Sequence, residues 1–509
     1  MVAGNTFFII FLIRIIPVFF ISMFSSKGFI DTGHADPLIY FGGAQAILAT
    51  GANPFNFFPP LNFLFIAACL YLGHGSPLVP ITAIAVVGWL TVVGIYLFTK
   101  ELFGNEKTAL IAAIISGLYP EFIFFGISFY SETLAIFLIV ICFLMILKYF
   151  KTRKVYFLVL SGMLWGLASL TRGGLHFFSV FIGIVMIMNF YGRGWRARLQ
   201  PVAVFLLATY LTIFSVSRMV LPIQGESPLN SKSGIGSLIH GANRITTSCS
   251  DYGDVRGNIF YEINNCQEKW PEGSQLYSEE LMKSGTFNIL SEFTAFILHD
   301  PVTYLKNSCI KLSCFFAPNQ LVIFFLKTKF QSINSLILAL LCLGISLFYM
   351  LIICGGLWGV ILSKDAFHPV FVLLIFFYCA LIFLTVGNAK LRLPLMPFFI
   401  IYCSYFIACL QDGRWKTVLS NKVTAILILI FLANSIYKYQ EIRLSPGEIQ
   451  VQEIELCNQR GFPKTALYLL EKNKKYAYTD EQARRLQIAD SFAKEKLEIL
   501  NKDNQTKRP

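Results

Sequence analysis

Long apolar runs separated by short polar turns fill this chain from its first residues to about position 437. Apolar runs of about 17–22 residues have the length that crosses a hydrocarbon core as a helix. The pattern predicts spans at 7–25, 61–73, 78–99, 108–127, 131–149, 155–170, 175–190, 200–221, 332–362, 368–386, 394–410 and 422–437. The prediction is an all-α polytopic membrane protein with about 11–12 transmembrane helices. Run 61–73 is the shortest, and 332–362 is long enough to tilt or to break at Gly355-Gly356. Four regions follow: an N-terminal membrane block, 1–221; a polar region, 222–331; a second membrane block, 332–437; and a charged tail, 438–509. Within 222–331 a turn-rich stretch precedes a helix at about 278–298. Val302, Leu305, Cys309, Leu312 and Phe316 then mark an amphipathic interfacial helix. Charges at helical spacing (Glu471 and Lys475; Glu481, Arg484 and Arg485; Lys494 and Glu498) predict one or two solvated helices in the tail.

The pattern breaks most sharply at 26–60, a loop after the first span. Residues 31–60 read DTGHADPLIYFGGAQAILATGANPFNFFPP and carry Asp31, His34, Asp36, Gln45 and Asn53. Polar groups at a bilayer boundary are candidates for chemistry on a lipid-linked substrate. Asp36-Pro37 before an apolar run is an ordinary helix start, with Asp36 as N-cap and Pro37 at the first helical position. Tyr40 shares the face of Asp36, and Ala44 and Ile47 continue an apolar stripe. A short amphipathic juxtamembrane helix would hold the Asp36 carboxylate at headgroup level, within reach of an incoming hydroxyl.

Composition supports the membrane reading. Residues are 55% hydrophobic and only 14% charged, against about 25% in soluble proteins. The formal charge of +13 does not mark a nucleic-acid partner, because the basic residues sit in short loops: Lys148, Lys151, Arg153 and Lys154; Arg193, Arg196 and Arg198; Arg414, Lys416 and Lys422. That is the positive-inside signature. It predicts a multi-pass protein of the plasma (inner) membrane. The 121–132 and 172–176 turns, region 222–331 and the 388–394 turn then face outside. Simple alternation would put the first loop and the 121–132 turn on different faces if 61–73 crosses fully. A re-entrant 61–73 or an outside N-terminus restores the parity. Arg14 interrupts the first run and no basic segment precedes it, so it reads as a retained span rather than a cleaved signal.

Most of the 12 cysteines lie in apolar runs as small buried hydrophobes; Cys249 and Cys266 could pair in the outside region. The histidines have no ligand spacing, so no structural metal site is expected, and the Gly234–Gly236 segment lacks the strand and lysine of a nucleotide loop. Further candidates lie at predicted span ends. Glu132 opens a span, where the helix dipole alone favours an acid. Glu121 follows Tyr119-Pro120. Arg172, beside His176, and the pair Lys390 and Arg392 are cations on the outer face, against the positive-inside trend, and suit a phosphate.

Several strings, in order, resemble one family. They are Asp36-x-x-x-Tyr40-x-x-x-Ala44, Gly51-x-Asn53-Pro54-Phe55, Pro59-Pro60-Leu61, Leu102-Phe103-Gly104, Tyr119-Pro120, Ser131-Glu132, Gly166-Leu167-Ala168-x-Leu170-Thr171-Arg172 and Leu391-Arg392-Leu393-Pro394-x-x-Pro397-Phe398. Spread over about 400 residues, they look like the GT-C superfamily glycosyltransferases of family 39, the protein mannosyltransferases and aminoarabinose transferases. The resemblance implies a GT-C fold with amphipathic juxtamembrane helices in the first extracytoplasmic loop. It implies an inverting hexosyl or pentosyl transfer from a polyprenyl-phosphate sugar to an extracytoplasmic protein, glycolipid or glycan. Asp36 would be the catalytic base and Glu132 a second catalytic acid group, with Tyr40, Arg172, His176, Lys390 and Arg392 binding substrate. No cofactor is implied; the lipid-linked sugar is a substrate, and membrane lipids surround the protein. Members often carry a basic residue before the second span, whereas this chain has FNFFPPLNF. Phosphate recognition would then fall to Arg172, Lys390 and Arg392. A transporter or lipid flippase is the alternative reading, but such proteins place polar groups at the bilayer midplane, and here the candidates map to one face. A scaffold protein would leave that clustering unexplained.

Overall fold

The chain begins with α1 (Val2–Phe24), a single apolar helix interrupted on its buried side by Arg14. The computed structural model describes residues 2–24, 35–55, 58–189, 194–224, 266, 286–318, 322–323, 325–326, 335–363, 365, 367–413, 422–442, 446–460, 462–473 and 479–506. Expectations on Asp31, His34 and Cys249 lie outside these residues. Every regular element among those described is a helix.

One compact unit comprises Met1–Gly234, Gly344–Tyr378 and Arg392–Ile430; the other comprises Ile235–Leu343, Cys379–Leu391 and Phe431–Pro509. After α1 come α2 (Ala35–Thr50), α3 (Leu61–Leu72), α4 (Leu78–Phe103), α5 (Glu106–Leu118), α6 (Pro120–Phe125), α7 (Glu132–Thr152), α8 (Tyr156–Ser169), α9 (Leu175–Asn189) and α10 (Trp195–Gln224). The polar region contributes α11 (Thr286–His299) and α12 (Pro301–Phe315). Next are α13 (Ser335–Leu362), α14 (His368–Leu384), a 3-10 turn (Ala389–Leu395), α15 (Met396–Gln411) and α16 (Lys422–Ile442). The tail adds α17 (Pro446–Arg460), α18 (Pro463–Lys472) and α19 (Asp480–Thr506).

Among the described residues five helices are long and apolar enough to cross a membrane: Leu78–Phe103, Glu132–Thr152, Arg198–Val220, Leu336–Leu362 and Ala389–Gln411. Six shorter apolar helices accompany them. Exposed side chains such as Leu207, Leu211, Phe214, Leu340 and Phe376 need lipid rather than water around them. The chain is an all-α integral membrane protein. Helix α3 has 12 residues, a rise of about 18 Å against a core of about 30 Å, so the shortest predicted span does not cross as one straight helix. Helix α13 runs unbroken through Gly355-Gly356. These glycines serve contact instead: a Cβ on Gly356 would lie 2.8 Å from the Phe399 carbonyl of α15, and one on Gly359 would lie 1.9 Å from that of Tyr402. Absence of side chains lets the two backbones approach, the usual device where lipid supplies no hydrophobic drive.

In the first unit α1 runs antiparallel to α4, tied by Trp89 Nε1 donating to the Phe7 carbonyl at 3.1 Å and by the Phe7–Tyr96 ring contact. Lys151 at the end of α7 pairs with Glu101 at the end of α4, 3.0 Å apart. The basic ends of α4 and α7 therefore lie together, opposite the end of α7 that carries Glu132. The chain turns back after α4 because Gly104 takes a left-handed φ of 65° and Asn105 caps α5 by accepting from the Thr108 N–H at 3.1 Å.

In the second unit α12 turns its polar face inward. The Ser308 hydroxyl donates to the Phe383 carbonyl at 2.8 Å, and Lys311 Nζ donates to the Thr385 carbonyl at 2.9 Å. Val302, Leu305 and Cys309 of the predicted apolar stripe are exposed. That is the arrangement of a helix whose outer face meets lipid. The tail is more than solvated helices, because α17, α18 and α19 enclose a core of Ile454, Cys457, Phe462, Leu469 and Ala489. Arg485 bridges Glu448 at 2.8 Å and Glu455 at 2.6 Å across it.

Candidate active site

Helix α2 begins at Ala35, so Asp36 sits in its first turn rather than at the N-cap, a shift of two residues. The carboxylate favours that end of the helix dipole either way. Asp36 is half-buried, while Tyr40 and Ala44 on the same face are buried in a core with Phe63 of α3 and Phe129 of the α6–α7 turn. The Tyr40 ring lies 4.8 Å from that of Phe63. Gly43 makes this approach possible, since a Cβ there would meet the Phe63 ring at 2.5 Å. Helix α2 is thus anchored through its aromatic face, with Leu38 and Leu48 on the outside.

Tyr40 is the centre of a polar cluster. Burial pushes its phenol well above the usual range, a hydrogen bond with Ser131 works against that, and Glu132, Asp36 and Arg172 all act on it electrostatically. Arg172 Nη1 donates to Glu132 Oε1 at 2.9 Å; the Arg172 side chain is 16% exposed and that of Glu132 4%. Burial alone would lower the pKa of the guanidinium, but Glu132, Tyr378 and Tyr40 around it hold it up. Glu132 Oε2 is buried and has no hydrogen-bond partner among the described residues. The turn that presents Arg172 is fixed by the Leu61 N–H donating to the Leu170 carbonyl, and by Trp165 Nε1 donating to the Leu175 carbonyl, both at 3.0 Å. Three predicted residues, Asp36, Glu132 and Arg172, are therefore brought together about a fourth, Tyr40.

The other candidates are engaged elsewhere. The His176 ring bonds back to the Gly173 carbonyl and closes its own turn. Arg392 does not join the cluster's ion pair: its Nη2 donates to Glu121 Oε1 at 2.7 Å, its guanidinium lies 4.2 Å over the Tyr349 ring, and its side chain is 1% exposed. Tyr119 donates to the second oxygen of Glu121. The expectation that Arg392 meets a phosphate conflicts with this burial, because its charge is already paired and enclosed by aromatic rings. Lys390 belongs to the second unit, where its backbone N–H donates to Asn388 Oδ1 at 2.8 Å. Among the described residues no group of three His, Cys, Asp or Glu could hold a metal ion.

Sequence reasoning missed Tyr378 beside Arg172, because an aromatic inside an apolar run carries no signal of its own. It also passed over Arg14 as a mere interruption. A lone cation within a span is itself the signal that could have found it.

Residues 58–219 match the family described as Dolichyl-phosphate-mannose-protein mannosyltransferase. The matched segment contains Glu132 and Arg172. No curated protein matches the chain. Among solved structures, the apo oligosaccharyltransferase of Archaeoglobus fulgidus is similar at 15% identity and a TM-score of 0.47, covering 94% of this chain and 60% of that one. The same organism's oligosaccharyltransferase AglB, in complex with an inhibitory peptide and a dolichol-phosphate, gives 14%, 0.44, 94% and 60%. ArnT from Cupriavidus metallidurans, bound to undecaprenyl phosphate, gives 12%, 0.30, 74% and 73%. The chain spans about three fifths of the length of the archaeal chains.

Proposed function

From the match of residues 58–219 to a GT-C glycosyltransferase family, we propose that this protein transfers a monosaccharide from a polyprenyl-phosphate donor to an acceptor outside the plasma (inner) membrane. The observation that carries the reading is the gathering of Asp36, Glu132 and Arg172 about Tyr40. The cluster lies at the end of α7 opposite the basic Lys151 end, and the positive-inside bias then argues for an external site. A carboxylate on a half-buried first turn is suited to take the proton of an acceptor hydroxyl. The acceptor oxygen then forms its bond to the anomeric carbon as the bond to the donor phosphate breaks, and the sugar inverts.

Charge develops on the leaving polyprenyl phosphate and needs a fixed cation. Arg172 supplies it: Glu132 holds Nη1, the side chain is 16% exposed, and its other nitrogens would donate to phosphate oxygens. The acceptor is a protein, glycolipid or glycan bearing a nucleophilic hydroxyl. In membranes given a polyprenyl-phosphate sugar, Asp36→Asn lowers transfer by about 10²–10⁴-fold, the usual worth of a general base, while the protein remains folded. Mass spectrometry of glycolipids and surface glycoproteins reads the product. A wild-type rate in the folded variant rejects the base assignment.

A further inference from the structure

Arg14 lies within α1 and is almost fully buried. Its charge is spent on two backbone carbonyls: Nη2 donates to the Ser116 carbonyl at 3.0 Å, and Nη1 donates to that of Phe122. Both acceptors flank one irregularity, the break between α5 and α6. Tyr119 there is extended, at φ −66° and ψ 116°, as a residue before proline prefers. In a continuous helix the N–H of residue 120 would bond the carbonyl of residue 116. Pro120 has no N–H, so the Ser116 carbonyl has lost its helical donor. In a membrane interior such a carbonyl must be satisfied from within the protein. The Arg14 fork supplies that bond and a second one to the next short helix. Gly126 makes room, since a Cβ there would lie 3.3 Å from Nη1.

The segment held in this way leads to the proposed active site. The Phe122 carbonyl accepts from Arg14 and also from the Gly126 N–H at 3.1 Å. The Ser128 hydroxyl donates to the Phe124 carbonyl at 2.8 Å. Phe129 is buried against Phe41, its ring 4.9 Å away, and its carbonyl accepts from Asn62 Nδ2 at 3.4 Å. Ser131 bonds Tyr40, and Glu132 pairs with Arg172. We propose that Arg14 is a positioning residue for sugar transfer: by replacing the hydrogen bond that Pro120 removes, it keeps the α5–α6 break open and so sets Phe129, Ser131 and Glu132 against Tyr40 and Arg172. The transfer part of this proposal rests on the function proposed above; the placement of the segment does not.

The test separates positioning from plain stability. Arg14→Leu leaves the Ser116 carbonyl without a donor, whereas the double variant Arg14→Leu/Pro120→Ala returns an N–H to it and lets α5 and α6 run on as one helix. The double variant is expected to regain a melting temperature near that of wild type but to lose kcat for transfer by on the order of 10²-fold, the cost of about 1 Å of misplacement. A Phe41→Cys/Phe129→Cys pair, read by disulfide yield on mild oxidation, cross-links in the wild-type background and loses that yield in the double-variant background. Retention of both kcat and cross-link in the folded double variant overturns the proposal, because Arg14 would then be an anchor only. Should the double variant not fold, Arg14→Lys carries the same readouts, since one ammonium cannot reproduce the two-pronged contact. Loss of kcat and cross-link supports the proposal, and retention of both overturns it. If wild type transfers no sugar yet the cross-link follows Arg14 and Pro120 as described, the functional reading fails and the positioning of the segment stands.

Discussion

Two arginine–glutamate pairs in the first unit use the same chemistry to different ends. Arg392 and Glu121 are 1% and 5% exposed, joined at 2.7 Å, and enclosed by Tyr119 and Tyr349. Arg172 and Glu132 are joined at 2.9 Å, but the Arg172 side chain is 16% exposed and acts on Tyr40. A buried cation whose donors are all enclosed can stabilise a fold but cannot meet a substrate. A cation fixed on one side and open on the other can do both. The difference teaches that an ion pair at a span end is read by its surroundings rather than by its partners.

The largest expected effect comes from breaking the enclosed pair. Arg392→Leu leaves Glu121 buried without its cation and should cost roughly 3–5 kcal/mol of stability. Thermal unfolding of the purified protein measures this, and the surviving folded fraction should transfer sugar at the wild-type rate per molecule. Next comes the open pair. Arg172→Ala should lower transfer by about 10²–10³-fold, the usual worth of one preorganised group facing developing charge, as read by initial rates with the lipid-linked donor. Arg172→Lys should recover part of that rate, because it keeps the charge and loses the fork. The smallest effect belongs to a third set in the tail. Arg485 pairs with Glu448 and Glu455 at 31% exposure, where water and salt screen the charges. Arg485→Ala should cost only about 1 kcal/mol, with transfer unchanged. If tail and enclosed-pair variants lose equal stability, exposure is not what separates these pairs.

Much of this organisation is legible in the sequence. Apolar run length gives the helices, and the Asp36-Pro37 start places a carboxylate at the head of a short helix. Charge patterning put Glu132 and Arg172 among the candidates, and they meet. What is not legible depends on contacts between distant residues. Glu121 and Arg392 are 271 positions apart, and nothing in either string says that they consume each other's charge. Tyr378 looks like any aromatic in an apolar run. The glycines of α13 read equally as a hinge or a close contact, and only the Phe399 and Tyr402 carbonyls facing them decide for contact. Arg14 was visible as an anomaly, yet its purpose required seeing which carbonyls Pro120 leaves behind.

The central claim is that the Asp36–Tyr40–Glu132–Arg172 cluster, and not the Arg392–Glu121 pair, meets the donor phosphate. Binding of polyprenyl phosphate to the purified, folded Arg172→Ala and Arg392→Leu variants tests it most directly. The account predicts a Kd at least about tenfold weaker for Arg172→Ala, one lost charge-assisted contact, and an unchanged Kd for Arg392→Leu. Weaker binding in Arg392→Leu with wild-type binding in Arg172→Ala would contradict it.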